Sequence, residues 1–403
     1  MNRIKKISIS NYRSCLKTQF EVSENLTTLI GVNGSGKSNI LNAIQLLKKI
    51  NRINRFIPYG KAKQQKISVI DFCFDFGNET YNVIADIYYI TNEKNFDEVL
   101  TAKLKTKNIT NIKSNWISID ENLFNAASYI LENKIVEEGV IANVLLQTEK
   151  TKEELYTAIT ILNFFNNISY YSATMFSDPT KCPRLMELQD IGFTRTKYNN
   201  SPHEQFIYDL YRTYITNQNS YRRYINTVNQ NGIGLIDDIF LPPNNKGETI
   251  KIKVGDNIVE KEIDKIILYP RIFIDGIDLD TNQLSEGTFK TLALIFYILN
   301  DESDLLLIEE PEVCVHHGLL NSVIELIKLQ SKYKQIFVST HSDYVLDKLK
   351  PENILLVKKN KEKGTVANSL KKSMATDDFK ALKEYLKEEG SLGEYWKEGG
   401  FGD

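Results

Sequence analysis

Residues 26–47 read LTTLIGVNGSGKSNILNAIQLL. The apolar run at 26–30 predicts a strand that stops at Gly31. Gly31-Val32-Asn33-Gly34-Ser35-Gly36-Lys37-Ser38 then has the spacing of a phosphate-binding loop: Gly, four residues, Gly-Lys-Ser. Beyond it Ile40, Leu41, Ile44, Leu47 and Ile50 recur at helical spacing, so a helix follows over 38–50. Glycines let consecutive N–H groups turn inward around phosphate oxygens, and the helix presents its positive end to them. Asn33, Gly34, Ser35 and Gly36 form the cradle, Lys37 reaches the outer phosphates, and the Ser38 hydroxyl is placed to ligate Mg²⁺. The ligand this arrangement suits is the phosphate chain of a nucleotide with Mg²⁺.

Three further stretches belong with the loop. Leu305-Leu306-Leu307-Ile308-Glu309-Glu310-Pro311-Glu312 is an apolar strand ending in acids, which brings carboxylates to the carboxyl edge of a sheet, where a phosphate loop also lies. Glu309 is expected in the Mg²⁺ shell and Glu310 as the group that orients or deprotonates the attacking water. Leu284-Ser285-Glu286-Gly287-Thr288 precedes an apolar helix, and its small-residue turn offers a hydroxyl and free N–H groups to an anion. The chain's own phosphate loop is already served by another helix, so this second anion-binding end is expected to meet a nucleotide held by a different subunit. Ser339-Thr340-His341-Ser342 ends another apolar strand, and His341 there could hydrogen-bond a terminal phosphate.

The rest of the chain bounds the reading. Its 403 residues, 42% of them hydrophobic, are too many for one ordinary core and too apolar for disorder, which predicts a large domain with a substantial insertion. A formal net charge of −2 excludes bulk basicity as the hold on nucleic acid or membrane. Cys15, Cys73, Cys182 and Cys314 form no CxxC, which argues against a zinc hook, a zinc ribbon or a disulfide framework. No apolar run is long enough for a membrane span, and a cytoplasmic, soluble protein is expected. Residues 4–9, 67–76, 80–91, 98–106 and 114–119 read as strands of an antiparallel sheet. From about 120 to 235 the period turns helical, with a capping box at Ser201-Pro202-His203-Glu204. Strands are expected again near 250–254 and 265–274. Helices at 286–299, 317–330 and 342–348 then alternate with strands at 304–308 and 335–340, the pattern of a parallel sheet covered on both faces.

In this order the motifs resemble ABC-type ATPase heads, and their wording is similar to the RecF, SMC and OLD group: IKKISISNYRS through TLIGVNGSGKSNILNAIQLL at the start, LSEGT as the signature, IEEPE with a histidine four residues later (Glu312, His316). The resemblance covers roughly residues 1–120 and 250–350. It implies an α/β fold, a mixed sheet with helices on both faces and an antiparallel N-terminal lobe; it does not explain the middle, which the helical period reads as a helical insertion. The lobes would be 1–119 and 246–403, with 120–245 inserted for dimerisation or for binding a partner or DNA. Position by position it implies Lys37 and Ser38 for nucleotide and magnesium, Glu309 for the metal shell, Glu310 as catalytic acid, Ser285 and Gly287 as a signature acting in trans, and His341 as the switch histidine. Arg13 falls where the family often has a basic residue near the nucleotide, and Gln64 and Gln65 are candidates for the Q-loop glutamine. Cys314 and His317 depart from the OLD pattern of His and Pro. The stretch after His341 is too short for the TOPRIM domain of OLD nucleases, and SLGEYWKEGGFGD resembles the ending of stand-alone ATPases in this group, several of which work beside a separately encoded nuclease or toxin in bacterial anti-phage systems.

Three functional expectations follow. The first is a switch in which two heads sandwich two nucleotides as a homodimer or higher homo-oligomer and act on a separate effector. The second is a RecF- or SMC-like ATPase on double-stranded DNA, with Lys48, Lys49, Arg52, Arg55, Lys61, Lys63 and Lys66 as a phosphate-contacting strip and Tyr211, Tyr214, Tyr221 and Tyr224 among Arg212, Arg222 and Arg223 as a stacking surface. The third is a scaffold that binds ATP and barely turns it over, against which the acid at Glu310 argues.

Overall fold

Alternation in RIKKISISNY buries Ile4, Ile7, Ile9 and Tyr12 on one side of the first strand. Ile4 and Ile7, three apart, both face inward because a bulge between Ile4 and Lys6 shifts the register. A computed structural model describes residues 2–52, 65–91, 98–111, 113–189, 201–241, 243–254, 257–313, 315, 317–388 and 390–401. In chain order it begins β1 (Arg3–Tyr12), β2 (Cys15–Glu21), β3 (Leu26–Ile30), α1 (Lys37–Arg52), β4 (Gln65–Phe76), β5 (Glu79–Thr91), β6 (Glu98–Asn108) and β7 (Ile117–Ile119). Three helices follow, α2 (Glu121–Glu132), α3 (Glu138–Thr148) and α4 (Lys152–Asn166), then β8 (Ile168–Ser172) and β9 (Met186–Gln189). The middle holds α5 (Pro202–Thr216), α6 (Gln218–Val228), β10 (Asp238–Phe240), β11 (Pro243–Val254), β12 (Asn257–Leu268), β13 (Arg271–Ile274), β14 (Ile277–Asp280) and α7 (Glu286–Asn300). Then come β15 (Leu305–Glu309), α8 (His317–Gln330), β16 (Gln335–Thr340), α9 (Asp343–Asp347), β17 (Ile354–Asn360), β18 (Gly364–Ser369), α10 (Leu370–Ser373), α11 (Thr376–Tyr385) and α12 (Leu392–Lys397).

Two compact units divide the chain: Met1–Tyr171, Glu302–Pro311 and Ile327–Asp403 in one, Ser172–Asp301 and Glu312–Leu326 in the other. The first is built on a twelve-stranded sheet, ordered β7-β6-β5-β4-β1-β2-β18-β17-β3-β16-β15-β8. From β7 to β17 each neighbouring pair runs antiparallel. The run β17-β3-β16-β15 is parallel. Along β17 the burial alternates between two cores: Leu355 and Val357 join Ile40, Ile44, Phe72 and Phe164 on one face, while Ile354 and Leu356 join Leu346, Leu382 and Leu392 on the other. Burial on both faces is what a parallel sheet between helical layers requires. The expected mixed sheet, helix-covered on both sides with an antiparallel N-terminal lobe, is therefore present.

Within the stretch read as helical, Ile168–Ser172 is a strand and extends the large sheet beyond β15. The hairpin β17–β18, which no motif announced, lies between β2 and β3 in the same sheet.

The second unit carries two three-stranded sheets, β10-β13-β14 and β11-β12-β9, with α5, α6 and α7. The capping box is there: the Ser201 hydroxyl accepts from the Glu204 N–H at 3.3 Å, and the Glu204 carboxylate accepts from the Ser201 N–H at 2.8 Å. The stacking surface expected on these helices is corrected. Tyr211, Tyr221 and Tyr224 are buried, Tyr221 donates to the Ile239 carbonyl at 2.8 Å, and Tyr224 donates to that of Leu292 at 3.1 Å. Helical spacing put these rings on the face that packs inward, where the hydroxyls of Tyr221 and Tyr224 satisfy backbone acceptors. The basic strip is also changed at Lys48, whose ammonium donates to the Ile168 carbonyl at 2.5 Å. Lys49 is exposed, Arg55, Lys61 and Lys63 lie outside the described residues, and so do the side chains of Arg52 and Lys66. Gln64, Cys314 and His316 lie outside them too, as do the side chains of Gln65 and His317.

Candidate nucleotide site

Three parallel strands of the first unit end together. Ile30 of β3 pairs with Thr340 of β16, and Glu309 of β15 pairs with Ser339, so the phosphate loop, the acidic pair and His341 leave the sheet at one carboxyl edge. All five residues of β3 are buried, which fixes where the loop starts.

The loop's glycines each answer to a different constraint. A methyl at Gly31 would stand 2.2 Å from the Val357 carbonyl oxygen. Gly34 and Gly36 have φ of +78° and +109°, which favour glycine, and a methyl at Gly36 would stand 2.0 Å from Thr365 Oγ1. The chain thus turns tightly between β3 and α1, with the Ser35 N–H donating to the Val32 carbonyl at 3.1 Å, and no acid in the first turn of α1 opposes the helix end. The Ser35 hydroxyl is buried and has no hydrogen-bond partner, and a phosphate oxygen is a partner of the right chemistry for it. Lys37 is buried, with its ammonium donating to Gly31 O at 2.8 Å and Val32 O at 3.4 Å. Asn33 is exposed at the tip of the loop, and Ser38 is half-buried in the first turn of α1.

At the acidic end Leu305 to Ile308 are buried and Glu309 is half-buried. Glu310 has a φ of 46°, unusual for a residue with a side chain, and its N–H donates to Ser339 O at 2.9 Å. That bend turns its carboxylate to His341, with Nδ1 3.4 Å from Oε1. Sequence reading missed Tyr170: from β8 its hydroxyl donates to Glu309 Oε2. The only local signal was the β-rich pentapeptide ISYYS between helical stretches. Arg13, also at positive φ (48°), is exposed; it donates to Asn39 Oδ1 at 3.4 Å, and its guanidinium lies 5.4 Å from the Tyr12 ring.

The structure therefore brings Asn33 to Ser38, Glu309, Glu310 and His341 to one edge of the sheet, with Arg13 tied to α1. Ser285 and Gly287 lie in the second unit. Ser285 is the N-cap of α7, its hydroxyl accepting from the Thr288 N–H at 3.1 Å, and the Gly287 carbonyl accepts from Thr291 Oγ1 at 2.7 Å. Among the described residues no cluster of three or more His, Cys, Asp or Glu could hold a metal ion on its own. One hydroxyl and one carboxylate beside a phosphate cradle suit Mg²⁺, which takes few protein ligands and relies on substrate phosphates.

A family profile described as "AAA domain, putative AbiEii toxin, Type IV TA system" matches residues 26–347. The chain belongs to this AAA family. It is a P-loop ATPase of the ABC and SMC kind, related to RecF, Rad50 and OLD-type proteins. It is similar to the DNA double-strand break repair Rad50 ATPase of Methanococcus maripaludis, 28% identical over 161 residues that cover 38% of this chain and 15% of the relative. To the chromosome partition protein Smc of Methanocaldococcus jannaschii it is 33% identical over 94 residues, 21% of this chain and 8% of that one. The Old nuclease of Escherichia phage P2 aligns with more of it: 23% identity over 387 residues, 91% of this chain and 60% of the nuclease. The AAA chain thus spans less than two thirds of each of these relatives. The family assignment implies ATP with Mg²⁺. Among the described residues no helix is long and apolar enough to cross a membrane.

Proposed function

We propose that this protein is an ATP-hydrolysing switch acting on double-stranded DNA in the manner of RecF- and SMC-type ATPases, with two heads closing over two nucleotides. The observation that carries the ATPase reading is the meeting of phosphate loop, acidic strand end and histidine at one sheet edge of the first unit. Lys37 exchanges the carbonyls of Gly31 and Val32 for phosphate oxygens, which bind an ammonium more strongly because they are charged. Ser38 and Glu309 would hold magnesium, which would supply charge neutralisation to the nucleotide's phosphates. Glu310 accepts a proton from the attacking water while His341 steadies its carboxylate and registers the terminal phosphate. Ser285 and Gly287 cap the nucleotide of the opposite head with the free N–H groups of α7.

DNA as the object of the switch is supported by the relatives, whose names specify DNA double-strand break repair, chromosome partition and a nuclease. Purified protein should hydrolyse ATP and bind a fluorescent duplex with an affinity that falls as salt rises, and Lys37→Ala should abolish hydrolysis. Absence of ATP turnover in the unaltered protein removes the enzyme reading; turnover without duplex binding at low salt removes DNA. A second reading is the regulatory subunit of a bacterial anti-phage defence system that controls a separately encoded nuclease or toxin. The family description, which names a putative toxin of a type IV system, favours it. Co-elution of a nuclease or toxin from the native host would select it.

A further inference from the structure

We propose that Thr365, on the hairpin β17–β18, is a positioning residue of the phosphate loop, and that this hairpin is the floor on which the loop is shaped. This rests on the ATP reading above. The Thr365 side chain is fully buried, and its hydroxyl donates to the Ser35 carbonyl at 3.1 Å. That spends its one proton, so the 2.7 Å contact with Ser14 Oγ has Ser14 as donor. Ser14 Oγ in turn accepts from Asn39 Nδ2 at 2.6 Å.

The result is a directed chain: the Asn39 amide to the Ser14 hydroxyl, that hydroxyl to Thr365, Thr365 to the carbonyl of Ser35. It leaves the first turns of α1, crosses the turn that carries Arg13, and returns to the loop two residues before Lys37. Each link polarises the next. Two backbone bonds keep Thr365 in place, its N–H to Ser14 O at 2.7 Å and its carbonyl accepting from Thr18 Oγ1 at 2.5 Å. The hairpin touches the loop at both ends, with the Val357 carbonyl under Gly31 and Thr365 under Gly36, each so close that only a hydrogen fits at the glycine. A loop whose N–H groups must converge on phosphate gains from such a floor, because the conformational cost of convergence is met before the ligand arrives.

The hydroxyl is the testable part. Thr365→Val keeps the shape and removes the donor, stranding the buried Ser35 carbonyl and the Ser14 proton. Thr365→Ser keeps the donor. Titration with mant-ATP and Mg²⁺ should show Thr365→Val weakened by about tenfold and Thr365→Ser within about twofold of the unaltered protein. Ser14→Ala, which removes the middle link, should weaken binding severalfold and decides the matter if Thr365→Val does not fold. Equal affinity in Thr365→Val or, failing that, in Ser14→Ala overturns the proposal, as does a Thr365→Ser protein as weak as Thr365→Val, which would make bulk the cause. If the unaltered protein and Lys37→Ala both ignore mant-ATP, the ATP reading has failed. If the unaltered protein binds and Thr365→Val binds equally, only the role of Thr365 has.

Discussion

Replacing Gly31 by alanine separates steric from conformational demands on the phosphate loop. The added methyl would stand 2.2 Å from the Val357 carbonyl oxygen and 2.9 Å from Ser35 Oγ. Carbon and carbonyl oxygen rarely approach closer than about 3.3 Å, so loop and strand must part by about 1 Å. Neither side yields easily: Val357 is on an inner strand of the sheet, and Gly31 follows a strand buried along its whole length. Overpacking of this kind costs about 1–3 kcal/mol of stability, and a displacement of about 1 Å at a reacting centre costs about a hundredfold in rate. Gly34→Ala is the control. There φ is +78° but nothing lies within 4 Å, so only the strain of a left-handed residue remains, about 1–2 kcal/mol. Thermal melts and ATP turnover on both variants test the reasoning. Gly31→Ala should lose turnover by about a hundredfold and melt lower, with Gly34→Ala affected less in rate. A Gly31→Ala protein that melts and turns over like the unaltered one would refute the close approach of β17 to the loop.

Glu310→Gln keeps the shape at the bend but cannot take a proton, so turnover should fall by about a hundredfold or more while mant-ATP binding persists, and light scattering with ATP and Mg²⁺ should show a dimer. Burial against Phe289 and Phe176 holds the His203 imidazole below its ordinary value of 6.5, despite the 3.0 Å contact of Nε2 with Ser177 O. The unfolded chain takes up that proton near 6.5 and the folded chain only at lower pH, so stability is full above 6.5 and declines as pH falls below it. Melting curves at about pH 7.5 and about pH 5.5 should therefore differ less in His203→Gln than in the unaltered protein. Ser201→Ala, which opens the capping box of α5, should cost about 1 kcal/mol in denaturant unfolding with turnover unchanged.

What could be read ahead of the structure was what the chain encodes locally. GVNGSGKS states its own turn through its glycines, LLLIEE announces a strand and its acids, and Ser201 with Glu204 spells a cap, each within a few residues. What escaped depends on partners far along the chain. Tyr170 reaches Glu309 only because a five-residue strand joins the sheet beside β15, and nothing within ISYYS specifies that neighbour. Thr365 follows an ordinary turn glycine and acquires its meaning from Ser14 and Ser35, more than three hundred positions earlier. Tyr211, Tyr221 and Tyr224 failed for another reason: periodicity locates a face but does not say whether protein or solvent covers it, and at these three protein does.

The strand that launches the phosphate loop lies between β16 and β17, and Gln335 bonds both the N–H and the carbonyl of Ile4 across 331 positions. During synthesis, β3 therefore leaves the ribosome long before either of its neighbours has been translated. An unfinished chain holds every residue of the phosphate loop yet lacks the strands that give the loop its form. The neighbours of the loop's launching strand are thus complete only once β16 and β17 have been made, so the loop's form depends on the last quarter of the chain.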